Sequence, residues 1–129
     1  MISLTLEQLL EIHALVVHET GGSAGLRDLG RLESAIATQT QAVFGEELYP
    51  GIYSKAAALI RGIIADHPFV DGNKRTGYVL MRILLMESGL DITATQEEKY
   101  QFIIRIASGK YNFNDIIYWL EHNTRKNNS

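Results

Sequence analysis

Residues 54–87 read SKAAALIRGIIADHPFVDGNKRTGYVLMRILLME, and this stretch decides the fold. Its first third places Ala57, Ile60, Ile63 and Ile64 at spacings of three and four, the period of one helix face. The spacing predicts a helix over 54–66. Pro68 disfavours helical geometry at His67, so the helix should end there. A second helix is expected from about Asn73 to Glu87, stopped by Gly89. Val79, Leu80, Met81, Ile83, Leu84, Leu85 and Met86 occupy most of its circumference, the pattern of a helix buried on several sides. Two buried helices joined by a short polar turn are the frame on which the rest is read.

Upstream, Leu6, Leu9, Leu10, His13, Val16 and Val17 mark a helix face with one polar member. Thr5 and Gln8 can form a capping box at its start, and Gly21-Gly22 ends it. A glycine-rich loop follows through Gly25. Asp28 then caps a helix carrying Leu29, Leu32, Ala35 and Ile36. Residues 38–53 lack a helical period and contain Gly45 and Pro50-Gly51, which reads as an irregular flap or short hairpin. Downstream, Thr95 with Glu98 opens a fifth helix bearing Phe102, Ile103 and Ile106. A sixth carries Phe113, Ile116, Ile117 and Leu120. The polar stretch 124–129 reads as a frayed tail. The expected fold class is all-α: one domain over 1–129, about six helices, with an irregular flap before the third.

Composition narrows the function. The chain has 129 residues, 46% apolar and 21% charged, which suits a single folded core. There are no cysteines, so thiolate catalysis and Cys-based zinc sites are excluded. No apolar run has the length of a bilayer span and the first residues lack a secretory pattern, so a cytoplasmic protein without membrane contact is expected. A net charge of −3 argues against direct binding to nucleic acid, a helix-turn-helix reading included.

The turn His67-Pro68-Phe69-Val70-Asp71-Gly72-Asn73-Lys74-Arg75 concentrates the chemistry. The first amides of a helix have no intrahelical acceptors, and the helix dipole is positive at that end. Gly72 lets the backbone approach an anion, and Asn73, Lys74 and Arg75 surround it with amides and two cations. Such a cradle binds phosphate. Asp71 would repel a bare phosphate and is better explained by a bridging Mg²⁺. His67 is the residue of the segment whose ordinary pKa suits a general base near neutrality. Together they describe transfer of a phosphorus group to a hydroxyl.

The segment resembles the Fic motif, His-Pro-Phe-x-(Asp/Glu)-Gly-Asn-Gly-Arg-x-x-Arg. His67, Pro68, Phe69, Asp71, Gly72, Asn73 and Arg75 match; Lys74 replaces the motif glycine and Tyr78 its second arginine. The Asn-Lys-Arg variant and the stretch Gly25-Leu26-Arg27-Asp28-Leu29-Gly30-Arg31-Leu32-Glu33-Ser34-Ala35 are similar to the Doc (death-on-curing) branch of the Fic/Doc family. The resemblance implies a six-helix fold, His67 as base, Asp71 as holder of magnesium, and Gly72, Asn73, Lys74 and Arg75 as ligands of the phosphates of ATP or another nucleoside triphosphate. Phe69 would anchor the loop. It further implies a toxin held by a small antitoxin in trans and acting on a protein substrate. In the Doc branch that action is phosphoryl transfer to a translation elongation factor. The alternatives are AMP transfer to a protein hydroxyl, as in Fic enzymes, or an inactive nucleotide-binding adaptor.

Other residues carry less. Gly72 to Gly77 has P-loop glycine spacing without the Lys-Ser/Thr that should follow, and His13 and His18 form no His-Glu-x-x-His pattern. His13 reads as packed, His18 and His122 as exposed, Tyr78, Tyr118 and Trp119 as core or packing residues. Arg82 either extends the phosphate site or pairs with a glutamate.

Overall fold

The computed structural model describes residues 3–127 and is all-α, with six helices and four short strands among those residues. Helix α1 (Leu6–Thr20) starts at the expected capping box, with the Thr5 and Gln8 side chains each bonded to the other's backbone N–H. Helix α2 (Leu29–Ala37) is capped by Asp28, whose carboxylate accepts the N–H of Arg31 at 3.0 Å. The flap region resolves into strands β1 (Ala42–Val43) and β2 (Glu46–Glu47), paired antiparallel. They are joined by Phe44 and Gly45, at φ 51° and 79°. Two positive φ angles in a two-residue connection are what a tight hairpin turn demands.

Helix α3 (Gly51–Ile64) begins three residues earlier than its periodicity suggested, directly after Pro50, and ends two residues earlier. Helix α4 spans Asn73–Glu87. Helix α5 (Gln96–Ala107) opens with the Thr95–Glu98 capping box. Helix α6 (Phe113–His122) opens with a box of a different composition, Asn112 and Asp115.

Helix α3 is the centre of the molecule, packed on α2, α4 and α6. Residues 55–60, Ile63 and Ile64 are buried on it. Two glycines set how closely its neighbours come. A Cβ on Gly62 would stand 2.6 Å from Ala35 Cβ, and one on Gly77 2.5 Å from Ile64 Cγ1, so α2 and α4 approach α3 almost backbone to backbone. The hairpin is tied to this centre by Lys55, a buried lysine whose Nζ donates to Gln39 O at 3.1 Å and reaches Glu47 Oε1 at 3.0 Å. Gln39 in turn accepts from the N–H of Leu4 and donates to its carbonyl.

Two expectations are corrected. Thr124–Lys126 is not frayed: it forms strand β4, antiparallel to β3 (Leu90–Ile92), and the Thr124 hydroxyl lies 2.8 Å from Tyr53 Oη. Residues 128 and 129 of the expected tail lie outside the described residues. Tyr118 is exposed and stacks on His122 at 3.9 Å, whereas Trp119 packs inward on Phe102 at 3.8 Å. Periodicity could not separate these neighbours because α6 shows an apolar residue on nearly every side.

Candidate active site

The turn between α3 and α4 is held by the segment that precedes α2. The backbone N–H groups of Arg27 and Asp28 both donate to Pro68 O, at 2.8 and 2.9 Å, and Val70 N–H donates to Gly25 O at 2.9 Å. Leu26 and Phe69 form an isolated β-bridge. The glycines of the segment are explained by this contact. A Cβ on Gly25 would lie 3.0 Å from Val70 Cγ2, and one on Gly22 3.2 Å from Asp71 Cβ. Arg31 adds a bond from its guanidinium to Asp66 O at 2.8 Å.

From below, Phe69 is buried to 1% exposure and its ring stacks on His13, centroids 3.6 Å apart and planes 7° from parallel. Asn73 closes the turn on itself: its Oδ1 accepts Phe69 N–H at 3.0 Å and its Nδ2 donates to Phe69 O at 2.9 Å. Its side chain is thus bonded within the loop. The first N–H bonded into α4 is that of Thr76, to Gly72 O, so the amides before it are those a helix start leaves without an intrahelical acceptor.

Around this frame, His67, Asp71, Gly72, Asn73, Lys74 and Arg75 border one concavity of about 350 Å³. Lys74, Arg75 and Asp71 are exposed and His67 is half-buried. No hydrogen bond or ion pair to the His67 ring or to the Lys74 and Arg75 side chains occurs among the described residues. The His67 backbone is at φ 50°, in the left-handed region that histidine enters more readily than most side chains. Asp71 Oδ2 accepts Ser23 N–H at 2.9 Å, which aims the carboxylate along the edge of the glycine loop. Gly72 is left-handed at φ 78°, and a Cβ there would stand 3.0 Å from Val17 Cγ1.

Sequence reasoning missed two parts of this constellation. Thr20, Gly21 and Gly22, read as a helix stop, form a wall of the concavity. His13, read as a packed residue, touches the turn through Phe69 and through Asp71 O, 2.7 Å from its Nε2. Neither had a local signal, since both reach the turn only through tertiary contact. Arg82 stays outside the concavity and pairs with an aspartate, Asp91, at 3.5 Å.

Beside the concavity lies a more apolar groove of about 500 Å³ between α4 and α5. Lys74 and Arg75 border both. Tyr78, where the motif has its second arginine, lines the groove with Lys99 Nζ 6.0 Å from its ring centre. The arrangement offers a cationic, amide-rich cradle for phosphate, an imidazole able to take a proton, and a carboxylate with a free oxygen. Among the described residues no three acidic or histidine side chains gather into a metal cage. One carboxylate suffices for a magnesium ion that draws its remaining ligands from phosphate oxygens and water, so Asp71 fits that role.

Comparison with known proteins adds to this geometry. Residues 3–85 match the profile of the Fic/DOC family. Over 74 residues the chain is 38% identical to Toxin Doc of Mycolicibacterium smegmatis, a match covering 57% of each protein. Over 127 residues it is 28% identical to Protein adenylyltransferase Fic of Drosophila willistoni, covering 83% of this chain and 25% of that protein. The chain thus spans little more than half of the first relative and a quarter of the second. Among the described residues no helix is long and apolar enough to cross a membrane.

Proposed function

The chain belongs to the Fic/DOC family, and from that premise we propose that it is a Doc-like toxin transferring the γ-phosphoryl group of a nucleoside triphosphate to a hydroxyl of a protein. The observation that carries the reading is the convergence of His67, Asp71 and the α4 N-terminus on one concavity. In the proposed reaction His67 takes the proton of the target hydroxyl as its oxygen attacks phosphorus, and the nucleoside diphosphate leaves. The amides that open α4, with Lys74 and Arg75, hold the phosphates and meet the charge that builds on them. Magnesium held by Asp71 would neutralise phosphate charge when bound.

The similarity to a Doc toxin supports transfer of phosphoryl rather than AMP, as does Tyr78 in place of the second arginine. That guanidinium, which would hold a further phosphate, is missing. The proposed target is a translation elongation factor, which places the work in the cytoplasm. The proposed restraint is a small antitoxin lying in the α4–α5 groove. Its apolar wall of Val79, Tyr100, Ile103 and Ile104, bordered by Lys74, Arg75 and Lys99, suits a segment of apolar residues flanked by carboxylates. AMP transfer is the second reading, favoured by the similarity to the adenylyltransferase over most of this chain.

Incubation with γ-labelled or α-labelled ATP in a bacterial lysate tests the reading. Protein labelled from the γ position supports phosphoryl transfer. Label from the α position establishes AMP transfer instead, and no label with either leaves only a nucleotide-binding adaptor. His67→Ala is expected to abolish labelling and relieve toxicity.

A further inference from the structure

We infer that His13 is a positioning residue that holds the Asp71–Gly72 peptide in the one orientation that suits an anion. The inference rests on the phosphate-holding role proposed above for the start of α4.

His13 sits on α1, 58 residues from Asp71 in sequence, and is 2% exposed. A polar ring in such a position needs a partner, and here it has two kinds. Stacking on Phe69 fixes the plane of the ring, and Nε2 then meets Asp71 O at 2.7 Å. A carbonyl oxygen only accepts, so Nε2 carries the proton and donates.

The peptide held in this way is one that could otherwise rotate. Turning over the Asp71–Gly72 unit changes only ψ of Asp71 and φ of Gly72, and glycine adopts either sign of φ at little cost. Gly72 stands at φ 78°, one of those two states. All peptide bonds among the described residues are trans, and in a trans peptide the C=O and N–H point in opposite directions. With Asp71 O held against α1, the Gly72 N–H faces away from α1. Gly72 borders the concavity and directly precedes the amides that open α4. In the turned-over state a carbonyl oxygen would replace that N–H and repel phosphate.

The arrangement explains why the position holds histidine. Phenylalanine would stack on Phe69 without donating, and glutamine would donate without stacking.

The test uses the ¹⁵N-labelled full chain titrated with inorganic pyrophosphate, reading the Gly72 amide resonance, in wild type, His13→Phe and His13→Gln. In wild type the Gly72 amide is expected to shift on binding. His13→Phe is expected to keep a cooperative thermal transition, to move or double the Gly72 resonance before any ligand is added, and to bind pyrophosphate roughly tenfold more weakly, the scale of one net hydrogen bond. His13→Gln should recover most of that loss. Unchanged Gly72 resonance and affinity in His13→Phe would overturn the inference, as would a wild-type Gly72 amide indifferent to pyrophosphate.

Should His13→Phe fail to fold, long-range ¹H–¹⁵N correlation of the wild-type imidazole decides. Nε2 must be the protonated nitrogen, and an unprotonated Nε2 sinks the proposal. Loss of label transfer in the lysate experiment, with these signals intact, would strike the proposed function and leave the peptide lock standing.

Discussion

At His67 the backbone is left-handed and the ring has no partner among the described residues. That conformation costs a non-glycine residue about 1 kcal/mol, and no hydrogen bond, ion pair or ring stacking of its side chain among the described residues offsets it. His67→Ala is therefore expected to leave the melting temperature within a few degrees of wild type, while the proposed transfer slows at least about a hundredfold, the ordinary share of the general base that His67 is proposed to be. Calorimetry beside the label assay checks both halves. Thr76 presents the opposite case: its hydroxyl is buried on α4 without a hydrogen-bond partner among the described residues. Thr76→Val should raise stability by about 1 kcal/mol in urea denaturation. At this scale the gathering of His67, Asp71 and Gly72 to Arg75 around one concavity was readable, because they lie within nine positions of one turn. The side-chain bonds of Asn73 were not, since an asparagine that closes a loop and one that faces a ligand look alike in sequence. His13 was harder still, as a lone polar residue in an apolar period whose partners come from 58 positions away.

Among the elements, three helix starts were legible from their capping side chains. Thr5–Gln8, Asp28 and Thr95–Glu98 cap their helices as read. The Asn112–Asp115 box went unread because asparagine and aspartate stand where the usual pair has Ser/Thr and Glu/Gln, and α3 starts without any side-chain cap. Thr95→Ala is expected to cost about 1 kcal/mol. The other half of that box responds to pH. The backbone N–H of Thr95, then its side chain, holds the Glu98 carboxyl below the usual carboxylate range. A depressed folded-state value means stabilisation that is present above the unfolded value and lost as pH falls through the folded one. The stability gap between wild type and Glu98→Ala should therefore be open at neutral pH and close in acid, as urea midpoints across that range would show. The strand pair β3–β4 had no sequence signal, because three-residue strands owe their pairing to the helices that bring them together.

Across the whole molecule, stability and site geometry meet in α3 and α4. Gly77→Ala places a methyl group 2.5 Å from Ile64 Cγ1 and pushes these helices apart. A loss of about 1–3 kcal/mol is expected, as for other overpacked cores, together with weaker pyrophosphate binding, because the turn between the helices carries the proposed anion site. Equal binding at reduced stability would show that the turn tolerates the separation. Helix count, order and the buried character of α4 followed from periodicity alone. The closeness of α3 to its neighbours did not, since glycine in a helix reads as a weakness until the facing residue is known.

That closeness bears on control. Two rods seated against each other, with a clasp of eight residues between them stitched to a neighbouring strand of chain, leave little slack for an effector to pull on. An inhibitor of such a device gains little by deforming it; shading its mouth, as a stopper does, is the cheaper way to silence it. Release should then restore full activity without any slow refolding step, at the rate the inhibitor departs.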